Sequence, residues 1–214
     1  NSPSVSAQTF SQFLDWLGRR RDVQVKTVGE VMSRVRADDK DPETRDHVIR
    51  TAEMAVRVGE HFRLSARELR DLGLAALLHD IGKLETPIEI LEKPSRLTNE
   101  EYAIVKRHAV DGERMLRTEP ALVGVASIVR SHHERIDGRG YPDGLTGDAI
   151  PLAARIIAVC DAFDAMTHPR AYRGPFNLGT ALEELCRGAG TQFDPGIIET
   201  FLCVFDSSVD RYAH

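Results

Sequence analysis

Apolar residues recur along this chain at helical spacing, and the alternation that would mark a strand is hard to find. Near the N-terminus Phe10, Phe13, Leu14 and Leu17 follow i, i+3, i+4, i+7, and "RRR" at 19–21 ends that stripe. The acidic, proline-bearing "DDKDPE" at 38–43 reads as a boundary. Asp41 and Pro42 then suit the N-cap and first position of a helix whose stripe carries Met54, Ala55, Val58 and Phe62. Ser65 with Glu68, and Thr98 with Glu101, have the spacing of capping boxes. The first opens a helix through Leu69, Leu72 and Ala76, the second a helix holding Ile104, Val105, Met115 and Leu116. Another is expected from about Pro120 to His133, with Leu122, Val125, Ala126 and Val129 inside. After a glycine-rich stretch, Pro151 begins a helix through "LAARIIAVCDAFDAM", and one or two more fall around 177–187 and 195–204. The pattern predicts an all-α domain.

Several of the polar residues interrupt the apolar stripes. His79 lies three residues after Ala76 and seven after Leu72, and Asp80 sits at the other margin of that face. His108 follows Ile104 by four and Val105 by three; His132 and His133 follow Val129 by three and four; Asp161 follows Ile157 by four. Each points inward from its helix. A buried imidazole or carboxylate without a partner costs several kcal/mol, on the order of 2–7 for a polar group. One such residue is most often an ordinary hydrogen-bonded core group. A set of them at the inward margins of several helices calls for a common partner, and a metal ion satisfies imidazole and carboxylate together. His47, one turn before Thr51, joins by the same geometry, and Glu43 sits one turn before His47 on its face. For Glu43 the competing explanation is the preference of acids for a first helical turn. His61, His168 and His214 have no apolar stripe behind them and read as surface residues.

Composition narrows the classes. At 42% hydrophobic and 29% charged over 214 residues, the chain can bury one good-sized core. A net charge of −5 argues against a surface for nucleic-acid polymers, though not against a small anionic ligand in a locally basic pocket. Cys160, Cys186 and Cys203 form no C-x-x-C pair, which fits a reducing cytoplasm. The run "LGLAALL" at 72–78 is too short to span a bilayer. The chain starts without Met and without a signal peptide, as a piece of something longer would.

"HVIR" at 47–50, "LLHDIGK" at 77–83, His108, "HHERIDGRGYPDGL" at 132–145, "DAFDAMT" at 161–167 and "GTQFDP" at 190–195 stand in a familiar order. Over about 40 to 205 the chain resembles the HD-GYP domains, a subgroup of the HD phosphohydrolase superfamily that hydrolyses the bacterial messenger cyclic di-GMP. The long histidine–glycine–tyrosine–proline block in register with the other motifs makes the resemblance specific. It implies an HD-domain helical bundle around a buried multinuclear metal site in the catalytic domain, 41–208. Residues 1–40 would be a linker or stub of a sensory module, or a helix that pairs two protomers.

Carried over by motif, the resemblance implies metal ligands at His47, His79, Asp80, His108, His132, His133 and Asp161, with Asp80 bridging two metals and Lys83 close by. Glu43 matches the family's three-metal signature. Arg170 and Arg173 match substrate-contacting positions, with Arg173 in place of the family's lysine, so that the charge is retained; the usual "RPYR" reads "RAYR", with Ala171 where proline is common. Asp164 matches a position facing the substrate pocket, and Tyr141 belongs to a loop that borders the pocket and doubles as a contact surface for signalling proteins. The implied activity is hydrolysis of cyclic di-GMP to the linear dinucleotide, and to GMP where a third metal helps, through a hydroxide bridging the metals. A nitrogen and oxygen ligand set favours iron or manganese and admits zinc, nickel or cobalt; iron comes first from the resemblance. The alternatives are a module that binds the dinucleotide or a protein partner without turnover, or an HD hydrolase acting on another cyclic dinucleotide such as cyclic GMP-AMP.

Overall fold

A computed structural model of the chain describes the backbone of residues 42–168 and 174–212 and the side chains of 46–168 and 174–205. The expected stripe at 10–17, the side chain of Glu43, and Arg170 and Arg173 lie outside the described residues. Pro42 opens α1 (Pro42–His61), its fixed φ suiting a first turn. The helix closes with Arg63 at φ 54°, Leu64 N–H donating to Gly59 O at 3.2 Å and Arg63 N–H to Glu60 O at 3.0 Å. This is a Schellman closure with arginine where glycine is usual. Ser65 then caps α2 (Ala66–Leu78) with the complete capping box its spacing predicts. The two helices pack so tightly that a Cβ on Gly59 would stand 2.7 Å from a Leu72 methyl.

A 3-10 turn, Ile81–Glu85, leads to α3 (Ile88–Leu91) and α4 (Asn99–Lys106), which starts at the predicted Thr98–Glu101 box. The single helix expected from Thr98 through Leu116 is in fact broken at Arg107, and α5 runs His108–Leu116. At the break the His108 ring engages the Val105 carbonyl at 2.7 Å, a bond that competes with the helical ladder. The expected Pro120–His133 helix begins as a 3-10 turn at Pro120–Leu122 and becomes α6 (Val123–Ser131), with His132 at its C-cap. A loop containing the short 3-10 turn Gly147–Ala149 leads to α7 (Leu152–Thr167), α8 (Leu178–Gly188) and α9 (Pro195–Tyr212).

The core lies among α1, α2, α6, α7 and α9, around Leu72, Leu78, Ile156, Ile157 and Phe201. Phe163, Phe201 and Phe205 stack with ring centres 4.7 to 5.3 Å apart. Burying such side chains contributes about 1.5–3 kcal/mol each, enough for these helices to tolerate the polar groups they also bury. By contrast α3 and α4 bury no residue and add little to the core. No strand forms among the described residues, only the isolated bridges Asp137–Thr146 and Ala189–Phe193. Among them, too, no helix is long and apolar enough to cross a membrane; Cys160 is buried, while Cys186 and Cys203 are exposed.

Candidate metal centre

Helix ends and one glycine contact bring the inward-pointing polar residues together. His79 caps the C-terminus of α2 and Asp80 follows it; His108 opens α5; His132 caps α6 and His133 follows; His47 comes from α1 and Asp161 from α7. Their ligand atoms form two sets sharing one member. Asp80, His108, His132 and His133 make the first, and His47, His79 and Asp80 the second, with the atoms in each set within 4.8 Å of one another. Asp161 Oδ1 joins the second, 3.1 Å from His47 Nε2 and 3.9 Å from His79 Nε2. The turn after Asp80 lies directly on the backbone of α5: a Cβ on Gly82 would meet His108 O at 2.0 Å and Gly112 N at 2.6 Å. Only glycine permits that approach, which sets Asp80 Oδ1 3.5 Å from His108 Nε2.

Each buried ring is oriented by a bond on its outer nitrogen. The Nδ1 atoms of His79, His108 and His132 face the carbonyls of Ala76, Val105 and Val129, three residues earlier in each case. Carbonyl oxygens only accept, so each Nδ1 carries the proton and each Nε2 presents a lone pair inward. The helices thereby spend an orphan C-terminal carbonyl to fix a tautomer. His47 is oriented instead by a carboxylate, its Nδ1 lying 2.7 Å from Asp164 Oδ2.

The charges divide by position. Burial pushes His132 well below its ordinary value, with the neighbouring His133 adding to the effect; burial likewise lowers His108, and takes His133 down to about 4. Burial also works against charge on His47, but hydrogen bonds to Asp161 and Asp164 outweigh it and raise that ring to about 9. Burial opposes ionisation of Asp80 and Asp161 as well. Lys83 first, and then the histidines, nevertheless hold Asp80 well below the carboxylate range, and the hydrogen bond from His47 does the same for Asp161. The centre thus sets neutral imidazoles at His108, His132 and His133, and a protonated one at His47, against the ionised carboxylates of Asp80 and Asp161.

That donor set fits divalent metal ions. His108 Nε2 and His132 Nε2 stand 3.2 Å apart, both with their other nitrogen committed to a carbonyl. Two lone pairs facing each other in a buried site repel unless a cation lies between or beside them. On the other side a proton held by His47 toward Asp161 occupies a position a cation could take.

The other expected residues separate. Lys83 Nζ lies 2.6 Å from Asp80 Oδ2, its side chain 39% exposed. Tyr141 lies against the cluster, its ring centre 4.8 Å from that of His133. Burial, then the neighbouring Tyr102 phenol and the carboxylates of Asp80 and Asp161, push its phenol up. Asp164 does not face an open pocket as expected: it is 1% exposed, and its oxygens are taken by His47 and by Arg50, whose Nε and Nη2 donate at 2.6 and 2.9 Å. His168, read as a surface residue, also approaches Asp164 at 3.1 Å, while His61 is exposed as expected.

Sequence reasoning passed over Glu134. It is buried, and its carboxylate accepts from the backbone N–H groups of Asp143, Gly144 and Leu145 at 2.7, 3.1 and 3.0 Å. A Cβ on Gly140 would stand 2.4 Å from Arg135 N, so the loop carrying Tyr141 folds back directly onto this carboxylate's own segment. The only signal in the sequence was an acid directly after two inward-facing histidines.

Comparison with known proteins adds to this geometry. The HD domain family model matches residues 30–197. A cyclic di-GMP phosphodiesterase of Pseudomonas aeruginosa is 39% identical over 175 residues, covering 80% of this chain and 42% of that protein. The 3'3'-cGAMP-specific phosphodiesterase 1 of Vibrio cholerae is 38% identical over 159 residues, covering 74% of this chain and 37% of that one. The chain spans less than half the length of these curated relatives. Among solved structures, an HDG"Y"P protein from Bdellovibrio bacteriovorus superposes with a TM-score of 0.64 over 94% of this chain and 68% of its own, at 18% identity. That likeness concerns the fold.

Proposed function

The chain belongs to the HD domain family, and from that premise we propose that it is a metal-dependent phosphodiesterase hydrolysing cyclic di-GMP to the linear dinucleotide. GMP becomes a second product if Glu43 holds a third metal. The observation that carries this reading is the facing Nε2 pair of His108 and His132 beside a carboxylate common to two imidazole sets. His47, His79, Asp80, His108, His132, His133 and Asp161 would hold two or three divalent ions, iron first and manganese next. When bound, such ions supply a water acidic enough to attack near neutral pH and positive charge against the phosphodiester.

The remaining work falls to the protein. The Nδ1 bonds keep the Nε2 lone pairs of His108 and His132 aimed into one ligand set and that of His79 into the other, and Asp164 orients His47. Lys83 uses one N–H on Asp80 and has others to give a non-bridging phosphate oxygen. Arg170 and Arg173 are assigned to the substrate by their motif positions. Tyr141 shapes a wall of the site. The catalytic domain is taken as 41–208, with 1–40 as a regulatory or pairing extension, and the exposed tip of the loop at Asp143 and Gly144 offers a surface to a signalling partner.

Similarity to a 3'3'-cGAMP-specific phosphodiesterase favours a second substrate reading at the same centre. Anaerobically purified protein loaded with Fe(II) or Mn(II) and given both dinucleotides in competition tests the two. Linear product forming faster from cyclic di-GMP is the expected result. Faster loss of cGAMP would exchange the substrate, and no linear product from fully metallated protein would remove the enzyme reading in favour of a binding module.

A further inference from the structure

Helix α4 buries none of its eight residues, yet it is firmly built. Thr98 and Glu101 complete a capping box at its start, and Lys93 Nζ bonds both Glu101 carboxylate oxygens at 2.7 and 2.6 Å. A helix this short is marginal alone, and this one holds an aromatic ring outward: Tyr102 is 49% exposed. Tyr102 and Lys106, one turn apart, share a face. Lys106 Nζ lies 5.1 Å from the Tyr102 ring centre and 5.8 Å from that of Tyr141, which in turn lies 4.8 Å from the His133 ring. An aromatic ring and a cation therefore extend outward from the edge of the histidine cluster toward open surface.

We propose that Tyr102 and Lys106 form an outer subsite for a purine base of the cyclic dinucleotide whose phosphodiester lies at the cluster. The proposal rests on the phosphodiesterase reading and gives it a source of base selectivity. The Tyr102 ring stacks on the base, a contact every purine can make. Lys106, held between the two rings, donates to acceptors on the base edge. Guanine offers two neighbouring acceptors there, O6 and N7, whereas adenine pairs N7 with an amino donor, so the lysine favours guanine. Neither residue touches the cluster, so their effect falls on binding.

The test uses metal-loaded protein, with KM and kcat for cyclic di-GMP and the Kd of a phosphorothioate analogue. Base stacking is worth about 1–3 kcal/mol, so Tyr102→Ala is expected to raise KM and Kd about tenfold with kcat within about twofold. Tyr102→Phe keeps the ring and should restore both constants. Lys106→Ala should lower the preference for cyclic di-GMP over cyclic di-AMP by about tenfold, since a good base-edge contact discriminates by roughly 1–3 kcal/mol. Unchanged KM and Kd in Tyr102→Ala would overturn the proposal. So would a parallel loss of bis(p-nitrophenyl) phosphate turnover, which would mean a damaged centre. Wild-type protein that binds the analogue through Tyr102 but cuts nothing would sink the phosphodiesterase reading alone; one that does neither would sink both.

Discussion

Glu134→Gln takes one charge and one acceptor from beneath the loop that carries Tyr141. In the native protein Oε1 accepts from Asp143 and Gly144 and Oε2 from Leu145, all backbone N–H groups, in a side chain only 4% exposed. Glutamine keeps one acceptor, so two of these bonds survive as neutral ones. Its amide would meet the third N–H donor to donor. Bonds to a charged group are worth about 1.5–3 kcal/mol and neutral ones about 1, while a buried unsatisfied donor costs about 1–3. The substitution should therefore weaken the loop's closed state by about 2–4 kcal/mol. Native-state hydrogen exchange on metal-loaded protein reads this directly. Exchange at the Leu145 amide, and to a lesser extent at Asp143 and Gly144, should rise by roughly one and a half to three decades, at 1.4 kcal/mol per decade. Amides in α2 should hold unless the whole chain is destabilised. Exchange at Leu145 within twofold of wild type would refute the claim that this carboxylate holds the loop.

Gly82→Ala puts a methyl 2.0 Å from the His108 carbonyl oxygen, a backbone atom that cannot step aside. It should destabilise by about 4 kcal/mol or more and lower metal content per folded chain; a Tm within two or three degrees of wild type would contradict the packing. Asp164→Asn leaves Arg50 without its carboxylate and His47 without a charged orienter, so metal affinity should fall about 10- to 100-fold, as loss of such outer partners does. Competition with a chromogenic chelator measures it, and unchanged affinity would return Asp164 to a substrate-facing role. Arg63→Gly relieves a left-handed residue in an exposed turn and should stabilise by about 0.5–1 kcal/mol, read as a higher denaturant midpoint with unchanged m value.

The cluster was legible because buried polar residues on apolar stripes are conspicuous: His79, His108, His132 and Asp161 each stand where a leucine would be expected, and the structure brings them together. What orients them was not legible. The i−3 carbonyl bonds exist because α2, α4 and α6 end where they do, and stripe arithmetic does not locate ends, which is also why one helix was expected through Arg107. Asp164 lies on the turn after Asp161, and spacing alone could not distinguish a substrate-facing carboxylate from one bonded to a histidine 117 residues earlier. Glu134 gave no such signal, because its partners arrive only when the residues nine to eleven positions later fold back over it. Capping boxes at Ser65 and Thr98, by contrast, are complete within four residues and stood where their spacing put them.

In the proposed metal centre, Asp80 serves two ions. Metal per chain, counted by mass spectrometry on anaerobically prepared wild-type protein and on Asp80→Ala, tests it most directly. Two or three ions in wild type, falling to one or none in Asp80→Ala, is the predicted result. Less than one ion in wild type after loading, or the same count in the variant, would contradict it.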